Sequence, residues 1–151
     1  MPRLPLSAGS IRGEGGRQVS NIQLARDIYD AFNRGDIAIV LSAFDPAIEW
    51  REAEGNPYQP SGSPWVGGEA ITQNLFIKIP ADFDGFTVHP KEFHDAGDTV
   101  VVELRYSGTG RATGKPLDAQ VCHVLKFRDG KLTSFQQFVD TAHLQDVLAA
   151  R

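Results

Sequence analysis

The chain has a single cysteine, Cys122, and a single methionine in 151 residues. One thiol excludes an internal disulfide and points to a reducing, cytoplasmic setting; in mid-strand it reads as a small buried hydrophobe. No stretch approaches the roughly 20 apolar residues that span a bilayer, so no membrane partner is expected. Basic charge is scarce too: 15 Lys and Arg against 19 Asp and Glu leave a net charge of -4, which gives no electrostatic reason to bind nucleic acid. His89, His94, His123 and His143 are scattered and show no metal-ligand spacing. Gly108-Thr109-Gly110 ends a strand and opens no helix, so no phosphate-cradling loop is expected. Neither a metal nor a cofactor is expected.

What is present reads as a tail followed by one domain. Residues 1–20 are rich in glycine, proline and arginine and read as disordered; residues 21–151 carry the periodic patterns. Ser20-x-x-Gln23 is a capping box, after which Ile22, Ala25, Ile28, Tyr29 and Phe32 share a helical face until Gly35. Asp36 caps a second, short helix with Ile37, Val40, Leu41 and Phe44 inward, stopped by Pro46. Ala47 to Ala53 alternates as a strand with Ile48, Trp50 and Glu52 on one side. Glu54 to Gly67 is too rich in proline and glycine to be regular, yet holds Tyr58 and Trp65, and reads as a lid with aromatic contacts. A third helix is expected from Gly68 to Ile79, closed by Pro80. Strands follow at Gly85 to His94 and Thr99 to Gly108, then a hairpin and a short last helix from Thr141. Segregated helices and mainly antiparallel strands predict an α+β fold. Apolar residues on both faces of the late strands, such as Val100 and Val102 against Val101, predict a homodimer through the sheet.

The hairpin, Leu117 to Thr141, organises the candidate site. Asp129-Gly130 is a two-residue turn whose centre positions need positive φ. Counting regularly back from it, His123 faces Gln136, Val121 faces Phe138 and Ala119 faces Asp140, which places His123, Gln136, Phe138 and Asp140 on one greasy face. Asp140, beside Phe138 and Val139, then suits a desolvated general base with a raised pKa, or else a cap for the last helix. His123 suits a hydrogen-bond donor with its tautomer held by Gln136. Glu52 shares the face of Trp50 and is a candidate substrate contact, although its place at a strand end favours an exposed side chain. Trp50, Tyr58, Trp65 and Phe138 are the expected walls. Glu103 and Arg105 share a strand face and read as a surface or interface salt bridge.

Several segments together resemble the SnoaL-like polyketide cyclase and ketosteroid isomerase-related group of the NTF2-like superfamily. They are Tyr29-Asp30-Ala31-Phe32-Asn33-Arg34-Gly35-Asp36, Phe44-Asp45-Pro46-Ala47-Ile48-Glu49-Trp50, Gly67-Gly68-Glu69-Ala70-Ile71, His123 to Lys131 and Phe135 to Thr141. The resemblance implies a cone formed by a curved sheet around a deep pocket, usually dimeric. It also implies cofactor-independent proton transfer next to a carbonyl (isomerisation, aldol-type cyclisation or dehydration) on a small apolar cyclic compound; the superfamily also contains non-catalytic binding and dimerisation modules. Under it, Asp140 matches a strand-end acid/base aspartate. His123 falls where ketosteroid isomerases keep a protonated aspartic acid that donates to an oxyanion. Ile28 and Trp50 occupy the positions of the isomerase tyrosine and base, so that mechanism does not transfer whole, and Tyr29 is expected to serve the core.

Overall fold

The protein is described from a computed structural model covering residues 19–149; the tail, apart from Val19 and Ser20, lies outside the described residues. Helix α1 (Asn21–Asn33) starts where Ser20 Oγ accepts the Gln23 amide hydrogen at 3.1 Å. The reciprocal half of the capping box is missing, because the Gln23 side chain donates to Asp27 instead. Helix α2 (Ile37–Ser42) is capped by Asp36 and ends earlier than expected. Phe44 already belongs to strand β1 (Phe44–Arg51), so Pro46 sits inside that strand rather than stopping a helix.

Strand β2 (Trp65–Val66) pairs with β1. The expected third helix is broken. A turn, α3 (Gly68–Ile71), widens into a π-helical segment over Thr72–Phe76, and α4 (Ile79–Asp82) begins afresh with Pro80 in its first turn, where a missing N–H is harmless. Strands β3 (Phe83–Ala96), β4 (Thr99–Gly110), β5 (Pro116–Arg128) and β6 (Lys131–Val139) precede α5 (Thr141–Leu148).

The six strands run in the order β2-β1-β6-β5-β4-β3, with β1 and β6 parallel and the other pairs antiparallel. This is the expected α+β architecture. The inner face of the sheet packs against α1 and α2 and the α3–α4 segment, and their side chains form one apolar cluster that includes Ala25, Ile48, Ile71, Leu75, Phe83, Val102 and Leu132. Along β5, Leu117, Ala119, Val121, His123, Leu125 and Phe127 are buried, while Cys122 and Val124 are half-buried on the other face.

The hairpin turn forms as expected, with Asp129 and Gly130 both at positive φ (52° and 79°). The regular register does not persist. Phe127 pairs with Leu132 but Lys126 pairs with Ser134, so Thr133 is an extra residue on β6 and its hydroxyl bonds the Lys126 carbonyl. One inserted residue inverts every later side chain. Leu125 therefore faces Phe135, His123 faces Gln137 and Val121 faces Val139. Phe135 and Gln137 point inward, and Gln136, Phe138 and Asp140 belong to the opposite face.

Candidate functional site

A cavity opens between the inner face of the sheet and the helices, with about 80 Å³ of space for the centre of a water-sized sphere. That is room for roughly six water-sized groups, since one water needs about 10–15 Å³ by this measure. Its walls are mostly apolar, among them Phe76, Phe83, Phe86 and Leu125, and among the described residues no lysine or arginine lines it. Trp50 stacks on Phe135 at 3.6 Å between ring centroids, which fixes the floor of the cavity beside His123.

His123 on β5 is held from both sides. The Tyr29 hydroxyl of α1 lies 2.8 Å from Nδ1, and the Tyr106 hydroxyl of β4 lies 2.7 Å from Nε2. Burial pushes the imidazole pKa from 6.5 down to about 3, so the ring is neutral at physiological pH. Burial pushes both tyrosines well above their ordinary value, so both keep their protons. Tyr29 is thus a polar partner of the site as well as a core residue. Gln137 Nε2 donates to the Tyr106 oxygen at 2.8 Å, and Gln137 Oε1 accepts from Asn56 Nδ2 at 2.9 Å and from the Ala53 amide at 3.2 Å.

Glu52, one residue beyond β1, is buried at 6% exposure, contrary to its strand-end expectation. The loop after it folds back. The Glu52 amide donates to Gln59 Oε1 at 2.8 Å and Gln59 Nε2 donates to the Trp50 carbonyl at 3.0 Å, which draws the carboxyl inward. Trp50 Nε1 donates to one carboxyl oxygen at 2.8 Å and Asn56 Nδ2 to the other at 3.3 Å. Desolvation by burial dominates these donors and pushes the Glu52 pKa from 4.5 up to about 7. No buried side-chain nitrogen or oxygen among the described residues lacks a partner.

The expected site residues separate into two groups. His123, Trp50, Glu52 and Tyr58 all line the cavity, and the Tyr58 hydroxyl also donates to Asp82 at 2.7 Å, tying the loop to α4. Trp65 does not line it: its strand pairing puts it half-buried beside Trp50, where it packs on the core. Gln136, Phe138 and Asp140 are also outside, by the bulge at Thr133. Asp140 is exposed, and its carboxylate caps α5 by accepting the His143 amide at 3.1 Å. Its geometry is that of the helix cap, not of a cavity base. Phe138 is 54% exposed and walls nothing in the cavity. Glu103 and Arg105 do not pair with each other; His94 bonds Glu103 and Arg105 bonds Asp118.

Tyr106 and Asn56 belong to no motif visible in the sequence, and Gln137 lies inside the Phe135 to Thr141 segment without a feature that singles it out there. The available signal was small: Tyr106 shares the β4 face of Val102 and Leu104, and Asn56 stands four residues after Glu52. His94 also meets Glu92 and Glu103, their ligand atoms all within 4.8 Å, on the exposed surface away from the cavity.

The SnoaL-like domain model matches residues 25–135. An NTF2-like protein from Burkholderia thailandensis E264 is 37% identical with a TM-score of 0.78, covering 84% of this chain and 95% of that one. An NTF2-like protein of unknown function from Burkholderia pseudomallei K96243 is 26% identical, TM-score 0.78, covering 86% and 98%. TerC, co-crystallised with polyporic acid, is 28% identical, TM-score 0.75, covering 85% and 97%. No curated protein matches the sequence. Among the described residues no helix is long and apolar enough to cross a membrane.

Proposed function

Because the chain belongs to the SnoaL-like domain family of the NTF2-like superfamily, we propose that its cavity binds a small, apolar, cyclic carbonyl compound and moves a proton at the carbon next to the carbonyl. The observation that carries this reading is Glu52: a buried carboxyl with a pKa of about 7, in the same cation-free cavity as a neutral histidine clasped by two tyrosine hydroxyls.

Glu52 is the base. Near neutrality about half of the molecules hold it ionised, and a base poised there can accept and return a proton. The substrate C–H bond breaks and its proton forms an O–H bond on Glu52. The freed electron pair becomes the C=C bond of an enolate, and the carbonyl π electrons pass to oxygen. A hydroxyl proton from the tyrosine–histidine–tyrosine set stabilises that oxygen in a desolvated, preorganised site. Return of the proton to another carbon gives isomerisation; loss of a β-substituent gives dehydration. TerC's crystallisation with polyporic acid supports a small-molecule role for such a cavity.

A second reading, ligand binding without turnover, is favoured by one observation: among the described residues, no buried side-chain nitrogen or oxygen lacks a partner within the protein. Deuterium exchange at the acidic carbon of cyclohex-2-enone separates the two. Exchange catalysed by the protein, abolished in Glu52→Gln and unchanged in Asp140→Asn, supports proton transfer; bound ketone with no exchange supports the receptor.

We also propose that two copies pair through the outer face of the sheet. Phe138 and its cross-strand partner Cys122 stand there with Val101 and Val124, an apolar surface that water would otherwise cover.

A further inference from the structure

We infer that Phe86 is a specificity-determining residue that closes the mouth of the cavity and limits its occupant to a single six-membered ring. This rests on the proposed carbonyl chemistry and narrows its substrate class, because fused two-ring ketones are shut out.

The inference begins with the register of β3. Phe83, Phe86 and Val88 all line the cavity. In a regular strand, residues three apart point to opposite faces, so Phe83 and Phe86 could not both do so. A bulge brings them together. Asp84 pairs with Thr109 and Thr87 with Ser107, which leaves Gly85 and Phe86 opposite Gly108 alone. Glycine is needed on both strands. Gly85 takes a left-handed φ of 67°, and a Cβ on Gly108 would lie 3.2 Å from the Phe86 Cα and from the Asp84 carbonyl oxygen. The bulge therefore re-aims one more aromatic ring into the cavity.

That ring stands at the opening. Glu52, His123 and Tyr106 are buried, whereas Phe86 and Phe32 line the cavity and also reach the surface. Phe86 meets Phe32 of α1 edge to face, with centroids 6.1 Å apart and planes at 82°. Its ring also lies 5.0 Å from that of Tyr106, whose hydroxyl bonds His123. Phe86 thus reaches from the polar end of the cavity to its mouth. Asn33, next to Phe32, donates to the Val88 carbonyl at 2.8 Å and accepts the Val88 amide hydrogen at 3.0 Å. This clamp holds α1 against β3 and keeps the two rings in contact.

Size follows from the volume behind them. The 80 Å³ open to the centre of a water-sized sphere holds about six water-sized groups. A six-membered cyclic enone, with about seven non-hydrogen atoms, matches that space, and a fused two-ring enone, with about eleven, exceeds it. A ring whose carbonyl reaches His123 and its tyrosines turns its far edge toward the opening, where a second ring would meet Phe86.

The size limit is read with benzene and naphthalene, whose dissociation constants are measured by NMR titration. Neither probe has a carbonyl, so the result stands apart from the carbonyl chemistry. The parent should bind benzene and exclude naphthalene. Phe86→Ala should raise the preference for naphthalene over benzene by about a hundredfold, the gain from burying several more carbons. Phe86→Leu removes less and should raise it about tenfold, which keeps the test decisive if the alanine variant does not fold. Phe93, farther along β3, packs on Tyr29 outside the cavity, so Phe93→Ala should leave the preference where it was. A parent that binds naphthalene as tightly as benzene, or binds neither, overturns the inference. So does a preference unmoved in the folded Phe86 variants, or moved equally in Phe93→Ala. In a second arm, cyclohex-2-enone and a fused two-ring enone are compared in the same proteins; the parent should take the first alone, and a two-ring enone bound by the parent overturns the limit. Failure of both ketones to bind where benzene binds sinks the proposed function and leaves the size limit standing.

Discussion

At the scale of the residue, Glu52 and His123 are both buried and desolvation disfavours the charged form of each, but with opposite effects on stability. Glu52 has a folded pKa of about 7 against 4.5, so the folded state holds its proton more tightly. Its contribution is fully present below pH 4.5 and is lost as pH rises through 7, on the order of 3 kcal/mol in all. His123 has a folded pKa of about 3 against 6.5, so its contribution is present above pH 6.5 and is lost as pH falls through 3. The two slopes offset each other between pH 4.5 and 6.5. Above that window the His123 slope has ended while that of Glu52 continues, and urea unfolding should show stability falling between pH 6.5 and 8.5. Glu52→Gln should flatten that limb; an unchanged slope in the variant would assign the pH dependence elsewhere.

At the scale of the element, the hairpin shows what the sequence makes legible and what it hides. The turn was readable, because Asp129-Gly130 is a local chemical requirement for positive φ. The inward face of β5 was readable too, since its buried residues alternate without interruption. The bulge was not. Thr133 has no distinguishing feature in the sequence, because the accommodation depends on two neighbouring strands at once: β6 shifts register against both β5 and β1 in this region. That single residue moved Gln136, Phe138 and Asp140 out of the site and Gln137 in. The burial of Glu52 was hidden for a related reason, since it requires Gln59 and Asn56 to fold back over a loop whose composition says only that it is irregular. Deleting Thr133 should remove the extra residue and leave Phe135 and Gln137 inward. The variant is expected to unfold cooperatively, within about 2 kcal/mol of the parent. A chain that fails to fold after this deletion would mean that the regular count from the turn is the true register.

At the scale of the whole molecule, the sheet serves two surfaces with one set of strands. Its inner face carries the cavity, and its outer face carries Phe138 and the half-buried Cys122 and Val124. In the proposed dimer the outer surface is covered while the cavity keeps its own opening. Phe138→Glu places a charge at the centre of that surface and should yield monomers in sedimentation at micromolar concentration, with ketone binding retained. A parent protein that is already monomeric there removes the dimer proposal without touching the cavity chemistry.

The central claim is that burial without a compensating cation holds Glu52 poised near neutrality. The direct measurement is a ¹³C NMR titration of the glutamate side-chain carboxyls, with the Glu52 signal assigned by its disappearance in Glu52→Gln. A midpoint near 7 is the predicted result. Titration near 4.5 would contradict it, leaving a carboxylate that is fully ionised at neutral pH and no poised base in the cavity.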